Sequence, residues 1–173
     1  MSVVDYLRTK ILVYWWQLIL FVVSANLAGV IPALFSDVGR GGWYGQLKKP
    51  GFTPPNAAFT PVWTYLYCTM GLAAFLVWRD GDGFTGKAGL SLRVYFFNLL
   101  LNLTWTPVFF NGRSLEGGAI IIIMLVAVVI TLMFLFWKFN RLSSLLLFPY
   151  LIWLSIATSL NFTLYAMNRY DEF

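Results

Sequence analysis

Lys10 and Asp37 bracket 26 consecutive residues without a charge, and four more such runs follow. Lys49 and Arg79 bracket a run whose apolar part is residues 59–78. Arg93 and Arg113 bracket residues 94–112, Glu116 and Lys138 bracket 117–137, and Arg141 and Arg169 bracket 142–168. A helix needs about 20 mostly apolar residues to cross the hydrocarbon core, whereas a barrel strand needs about 10 with alternating polarity. The stretch from Ala119 to Trp137 shows no alternation. Hydrophobic residues make up 60% of the 173, more than a soluble domain of this size could bury. The expected fold class is an all-α, multi-pass integral membrane protein. It is a five-transmembrane-helix bundle in one domain, with spans at 11–34, 59–78, 94–111, 117–137 and 143–166 and a structured loop at 37–58.

The first run has two readings. Basic residues, an apolar stretch and then Ser24, Ala25 and Ala28 resemble a cleavable signal peptide. The apolar character continues through Leu34, however, which favours a retained first helix. Ala25, Gly29 and Ala33 form a small-residue stripe at i, i+4, i+8 that lets another helix approach. With five spans, Lys and Arg in the connections favour the N-terminal side as cytoplasmic, by seven to five. The net charge of +5 is spread over both faces, so membrane lipid is an expected partner and nucleic acid is not.

What the runs lack narrows the chemistry. None contains Asp, Glu, Lys or Arg, and the chain has no His and a single cysteine, Cys68. Pumps and proton-coupled transporters place ionisable groups in the membrane, and acid–base or nucleophilic catalysis needs a base beside the reacting group. Neither a catalytic residue nor a metal site is expected.

What the runs contain is aromatic groups and amides at helical spacing. Phe59, Trp63 and Tyr67 share one helix face; so do Asn98, Asn102 and Trp105, and Trp153, Ala157 and Asn161. Aromatic groups also fill lipid-facing surface, the reading that suits Trp15, Trp16, Trp78 and Trp137 best. Amides also join helices to one another. Three such faces together would line an apolar cavity with a few polar anchors. Pro32, Pro107 and Pro149 interrupt three of the runs, where proline bends a helix. Residues 37–58 carry Trp43, Tyr44, Leu47 and Phe52 among Gly and Pro, so this loop is expected to pack on something. The segment DGDGFTGKAG at 80–89 reads as a flexible connector.

Three motifs carry a more specific resemblance. The first loop and second run hold Trp43, Tyr44, Leu47, Lys49 and Pro50, then Pro54 and Pro55, then Phe59, Pro61, Val62, Trp63, Leu66, Tyr67, Met70 and Gly71. The third run holds Asn102, Trp105, Thr106, Pro107, Val108, Phe109 and Phe110. The fifth holds Pro149 to Trp153, then Ala157, Thr158, Leu160, Asn161 and Phe162. This order resembles the tryptophan-rich sensory protein (TspO/MBR) family, which includes the translocator proteins or peripheral-type benzodiazepine receptors.

The resemblance implies a homodimeric five-helix protein that binds porphyrins, notably protoporphyrin IX, and other lipophilic ligands between its helices under the first loop, with no cofactor required. Carried over by motif, the implied ligand-binding residues are Trp43, Tyr44, Phe59, Trp63, Asn98, Asn102, Trp105, Trp153 and Ala157. Some relatives carry Gln where Asn98 stands. Light- and oxygen-dependent porphyrin breakdown, with Trp63 and Trp153 as participants, is the implied alternative, and translocation of tetrapyrrole or sterol-like molecules is another. Leu160, Tyr165 and Arg169 satisfy a loose sterol pattern, although Phe162 stands where the animal tyrosine would be. With no His as axial ligand, a porphyrin without metal is the better-matched guest.

Overall fold

The computed structural model describes residues 12–36 and 42–169. The first residue expected in a span, the loop residues 37–41 and the charges Arg8, Lys10 and Arg40 lie outside the described residues. A 3-10 turn, Leu12–Tyr14, leads into α1 (Trp15–Leu34); then come α2 (Trp43–Gln46), α3 (Asn56–Asp80), α4 (Gly89–Thr106), α5 (Leu115–Trp137), α6 (Arg141–Leu145) and α7 (Phe148–Asn168). Among the described residues no strand occurs.

Four stretches are long and apolar enough to cross a membrane by themselves: α1, α3, α5, and α6 with α7 taken as one segment. The remaining long helix, α4, has 18 residues and is extended by a wider π turn, Pro107–Asn111. The observed boundaries differ from the expected ones where local chemistry overrides apolar run length. α3 starts three residues early, because Pro55 is extended and leaves the chain at a helix entry. α5 starts at Leu115, because the Ser114 hydroxyl accepts from the Gly117 N–H at 2.9 Å and Glu116 sits in the first turn. The fifth span is divided. Asn140 caps α6 by accepting from the Ser143 N–H at 3.1 Å, and α7 then begins with Pro149 in its first turn, where proline's missing donor costs nothing. Pro149 therefore starts a helix and does not bend one. Pro107 does change the geometry, since the α-helix gives way to the π turn there.

The five long helices form a ring in the order α3–α1–α4–α5–α7. α1 packs closest on α3. A methyl group at Gly71 would lie 2.6 Å from the Val22 Cα and 2.8 Å from the Phe21 carbonyl oxygen, so only glycine permits that approach. The small-residue stripe of α1 faces the same way: Ala25 is fully buried, and Gly29 lies against the Tyr67 ring. α6 packs on α3 at one end of the fifth span, but beyond it the backbones of α3 and α7 hardly meet. Aromatic side chains bridge that gap.

The expectation of a flexible connector at 80–89 is corrected. Residues 81–88 form hydrogen-bonded turns, with the Gly83 N–H donating to the Trp78 carbonyl at 2.8 Å and the Ala88 N–H to the Gly81 carbonyl at 3.0 Å. Asp82 and Gly83 take positive φ of 62° and 78°, which reverses the chain sharply, and Ala88 is fully buried. The Gly- and Asp-rich composition serves a tight turn. Trp78 is half-buried among Tyr14, Phe21, Phe75 and Phe84, whereas Trp15, Trp16 and Trp137 are exposed as lipid-facing side chains are.

Candidate functional site

The three aromatic and amide faces meet around one cavity of about 340 Å³, within the usual 300–1,000 Å³ of small-molecule sites. α3 supplies Phe59, Trp63 and Tyr67, which the 3.6-residue repeat aligns. Trp63 stacks on Tyr67 with ring centroids 5.5 Å apart, and meets Trp153 edge-on at 6.4 Å. Phe59 meets the same Trp153 at 5.7 Å. α7 supplies Trp153, Ala157 and Asn161, and the small Ala157 leaves space beside the tryptophan. α4 supplies Asn102 and Trp105. The Trp105 indole N–H donates to the Gly118 carbonyl at 3.2 Å, which fixes its ring against Phe109 at 4.8 Å.

The floor is a buried polar network. The Asn102 side-chain N–H donates to the Asn98 backbone carbonyl and to the Tyr150 hydroxyl, each at 2.9 Å. Its oxygen accepts from Tyr67 at 3.5 Å and lies 3.1 Å from the Tyr150 hydroxyl. The roof is α2, a single helical turn, with Leu47 after it; Trp43, Tyr44 and Leu47 are buried. Tyr44 meets Phe109 at 5.9 Å and Phe110 at 5.7 Å, edge-on to both. The loop therefore packs, as expected, although Phe52 is 55% exposed and takes no part. Burial pushes the Tyr44 phenol above its ordinary value of 10.0. Among the described residues no Asp, Glu, Lys, Arg or Cys lines the cavity.

Seven of the nine residues expected to bind ligand line this cavity: Tyr44, Phe59, Trp63, Asn102, Trp105, Trp153 and Ala157. Asn98 does not. It lies one turn behind Asn102, fully buried, and supports it from the rear. Trp43 meets Phe109 edge-on at 5.7 Å but borders an outer groove, with Arg113, Glu116, Tyr165 and Arg169, and not the cavity. The residues of the loose sterol pattern are divided likewise, with Leu160 in the cavity wall and Tyr165 and Arg169 in the groove. They do not form one surface. Among the described residues no cluster of His, Cys, Asp and Glu could hold a metal ion.

The wall extends beyond those nine residues. Tyr67 and Asn161 carried a signal, because each extends a face already recognised by its spacing. Asn26, Gly29, Val30 and Ala33 of α1 carried a weaker one. Their small-residue stripe reads as helix contact, and it is that too, but the same absence of bulk opens the cavity on this side. Tyr150 stands within the Pro149–Trp153 motif but does not line the cavity, and its partner is not legible there, since only the bundle brings it 48 residues back to Asn102.

A sequence model of the TspO/MBR family matches residues 19–167, nearly all of the helical bundle. The chain belongs to the TspO/MBR family. It is 36% identical over 149 residues to the protein CrtK of Rhodobacter capsulatus, covering 86% of this chain and 90% of that one. It is 38% identical over 128 residues to the human translocator protein, covering 73% and 75% respectively. It is 34% identical over 151 residues to the tryptophan-rich protein TspO of Archaeoglobus fulgidus, covering 87% and 94%. The motifs quoted from the sequence thus belong to a TspO/MBR membrane protein, and the aromatic cavity lies within the matched segment.

Proposed function

We propose that this TspO/MBR protein is a membrane receptor that binds protoporphyrin IX or a related lipophilic tetrapyrrole in the cavity between α3, α4 and α7. The observation that carries the reading is the wall itself: aromatic faces from separate helices converge on one uncharged space with few polar groups. Flat aromatic guests gain from edge-on and stacked contacts with such rings. An uncharged wall favours the macrocycle and leaves propionate carboxylates for the mouth, because an unpaired charge is costly inside. The cavity is small for a macrocycle, so binding widens it where the ring of helices is weakest, between α3 and α7. The name "tryptophan-rich sensory protein" of a Cereibacter sphaeroides relative, 35% identical over 126 residues, is consistent with a sensing role.

The test is a titration of the purified protein with protoporphyrin IX, read by tryptophan fluorescence, beside Ala157→Phe. Wild type should quench saturably at micromolar porphyrin. The added ring should fill the space next to Trp153 and weaken binding by roughly tenfold or more, with the melting temperature retained. An absence of saturable quenching in wild type would remove the reading. Equal affinity in the variant would mean that the guest sits elsewhere.

The Trp63–Trp153 pair favours a second reading, light-dependent porphyrin degradation. The indoles are 6.4 Å apart and both border the cavity, so either could donate an electron to a photoexcited guest. Trp153→Phe should then slow illuminated, oxygen-dependent turnover of bound porphyrin. Turnover equal to wild type at matched occupancy would take Trp153 out of the chemistry.

A further inference from the structure

Asn168, the last residue of α7, holds the roof. Its side-chain oxygen accepts from the Lys48 backbone N–H at 2.9 Å, and its N–H donates to the Lys48 carbonyl at 3.0 Å. The same nitrogen donates to the Leu164 carbonyl at 2.8 Å, which ties the amide to its own helix. One amide thus meets both backbone groups of a single residue 120 positions away, as a neighbouring strand would. Asn168 is 3% exposed, so little water competes for these bonds. Its orientation follows from the partners, since reversing the amide would set donor against donor and acceptor against acceptor.

The position of this contact matters more than its strength. The roof segment is joined covalently to α3 through residues 48–55, where Pro50, Pro54 and Pro55 limit the backbone. α3 and α7 hardly meet elsewhere except through the rings of Phe59, Trp63, Tyr150 and Trp153. By gripping Lys48, Asn168 ties the α3 side of the roof to α7 and closes the ring of helices across its open seam. The grip also sets Trp43, Tyr44 and Leu47 down on Phe109, Leu160 and Leu164.

We propose that Asn168 is a positioning residue, a latch that keeps residues 43–48 seated across the gap between α3 and α7 and thereby governs how fast a guest leaves the cavity. It acts through the roof and does not touch the guest. The cavity-binding reading above underlies the second half of this statement; the first half stands without it.

Two variants test it from opposite sides. Asn168→Asp keeps the acceptor for the Lys48 N–H and removes the donor. Lys48→Pro removes the N–H without altering α7, and Leu47 before it already has the extended backbone (φ −63°, ψ 141°) that proline requires of its predecessor. Both are compared with wild type in lipid nanodiscs by amide hydrogen exchange, thermal melting and protoporphyrin IX dissociation kinetics. Faster exchange is expected at residues 43–48, with none in the Tyr67–Asn102–Tyr150 floor. Porphyrin should leave roughly tenfold to thirtyfold faster, as loss of one or two buried hydrogen bonds implies. Unchanged exchange at 43–48 in both variants would show that Asn168 does not hold the roof. Faster exchange with an unchanged dissociation rate would show that the roof does not govern exit. If wild type binds no porphyrin, the ligand reading falls, and the exchange measurement still decides whether the latch exists.

Discussion

Asn102 engages both ends of its side-chain amide inside the bundle, with Asn98 behind it, Tyr150 across from it and Tyr67 above. A buried amide left unpaired costs about 1–3 kcal/mol, so this network fixes the angle at which α3, α4 and α7 face one another. Above that floor the wall carries no charge among the described residues, and burial favours the neutral phenol of Tyr44 where the roof meets the cavity. The direction of its shift determines a pH dependence. Its folded value lies above 10.0, so the neutral phenol's contribution is fully present below the unfolded value and is lost as pH rises through the folded one. Binding of protoporphyrin dimethyl ester, which has no titrating carboxylate, should therefore be flat between about pH 6 and 9 and weaken only above about pH 10. Titration of the ester across that range checks this. A step near neutral pH would require a group titrating there, which the described residues of the cavity wall do not supply.

At the scale of elements, the contact of α1 with α3 is set by Gly71. The atoms nearest a β-carbon there belong to the α1 backbone, at 2.6, 2.8 and 2.9 Å, so no side chain can turn aside. Gly71→Ala should push the two helices apart and destabilise the protein by about 1–3 kcal/mol, the range for overpacking. It should also loosen the α1 wall of the cavity, because Gly29 and Asn26 are carried on the same helix. Thermal melting in detergent, with porphyrin affinity alongside, measures both effects, and an unchanged melting temperature would show that α1 accommodates the methyl group. Gly118 has a related role on α5. A side chain there would strike the Phe109 ring at 2.7 Å and crowd the Asn161 amide at 3.1 Å. Both glycines lie where two elements must come closer than a methyl group allows, and both are consequences of packing that neighbouring residues in the chain do not announce.

Across the whole molecule, the five runs and the family motifs were legible because each depends on residues near one another in sequence. A hydrocarbon solvent excludes charge, so the charged residues mark the span limits to within a few positions. The i, i+4 repeat aligns Phe59, Trp63 and Tyr67 without reference to any other helix. Asn98 and Trp43 are placed by tertiary packing instead. Asn98 shares the spacing of Asn102 and Trp105, but its depth along α4 places it behind the cavity. Trp43 adjoins Tyr44 and both rings meet Phe109, yet only Tyr44 reaches the cavity, while Trp43 borders the outer groove. The turn at 81–88 is not legible in sequence because Gly and Asp serve an open linker and a left-handed turn equally well, and the buried Ala88 distinguishes them. The sequence alone determined the solvent of this protein, its helical class, its family and most of the aromatic wall, since hydrophobic period and motif order are local properties. The tertiary structure decided which faces share a cavity, that α3 and α7 leave a seam, and that Asn168 closes it 120 residues from its partner, since those depend on the order of helices around the ring.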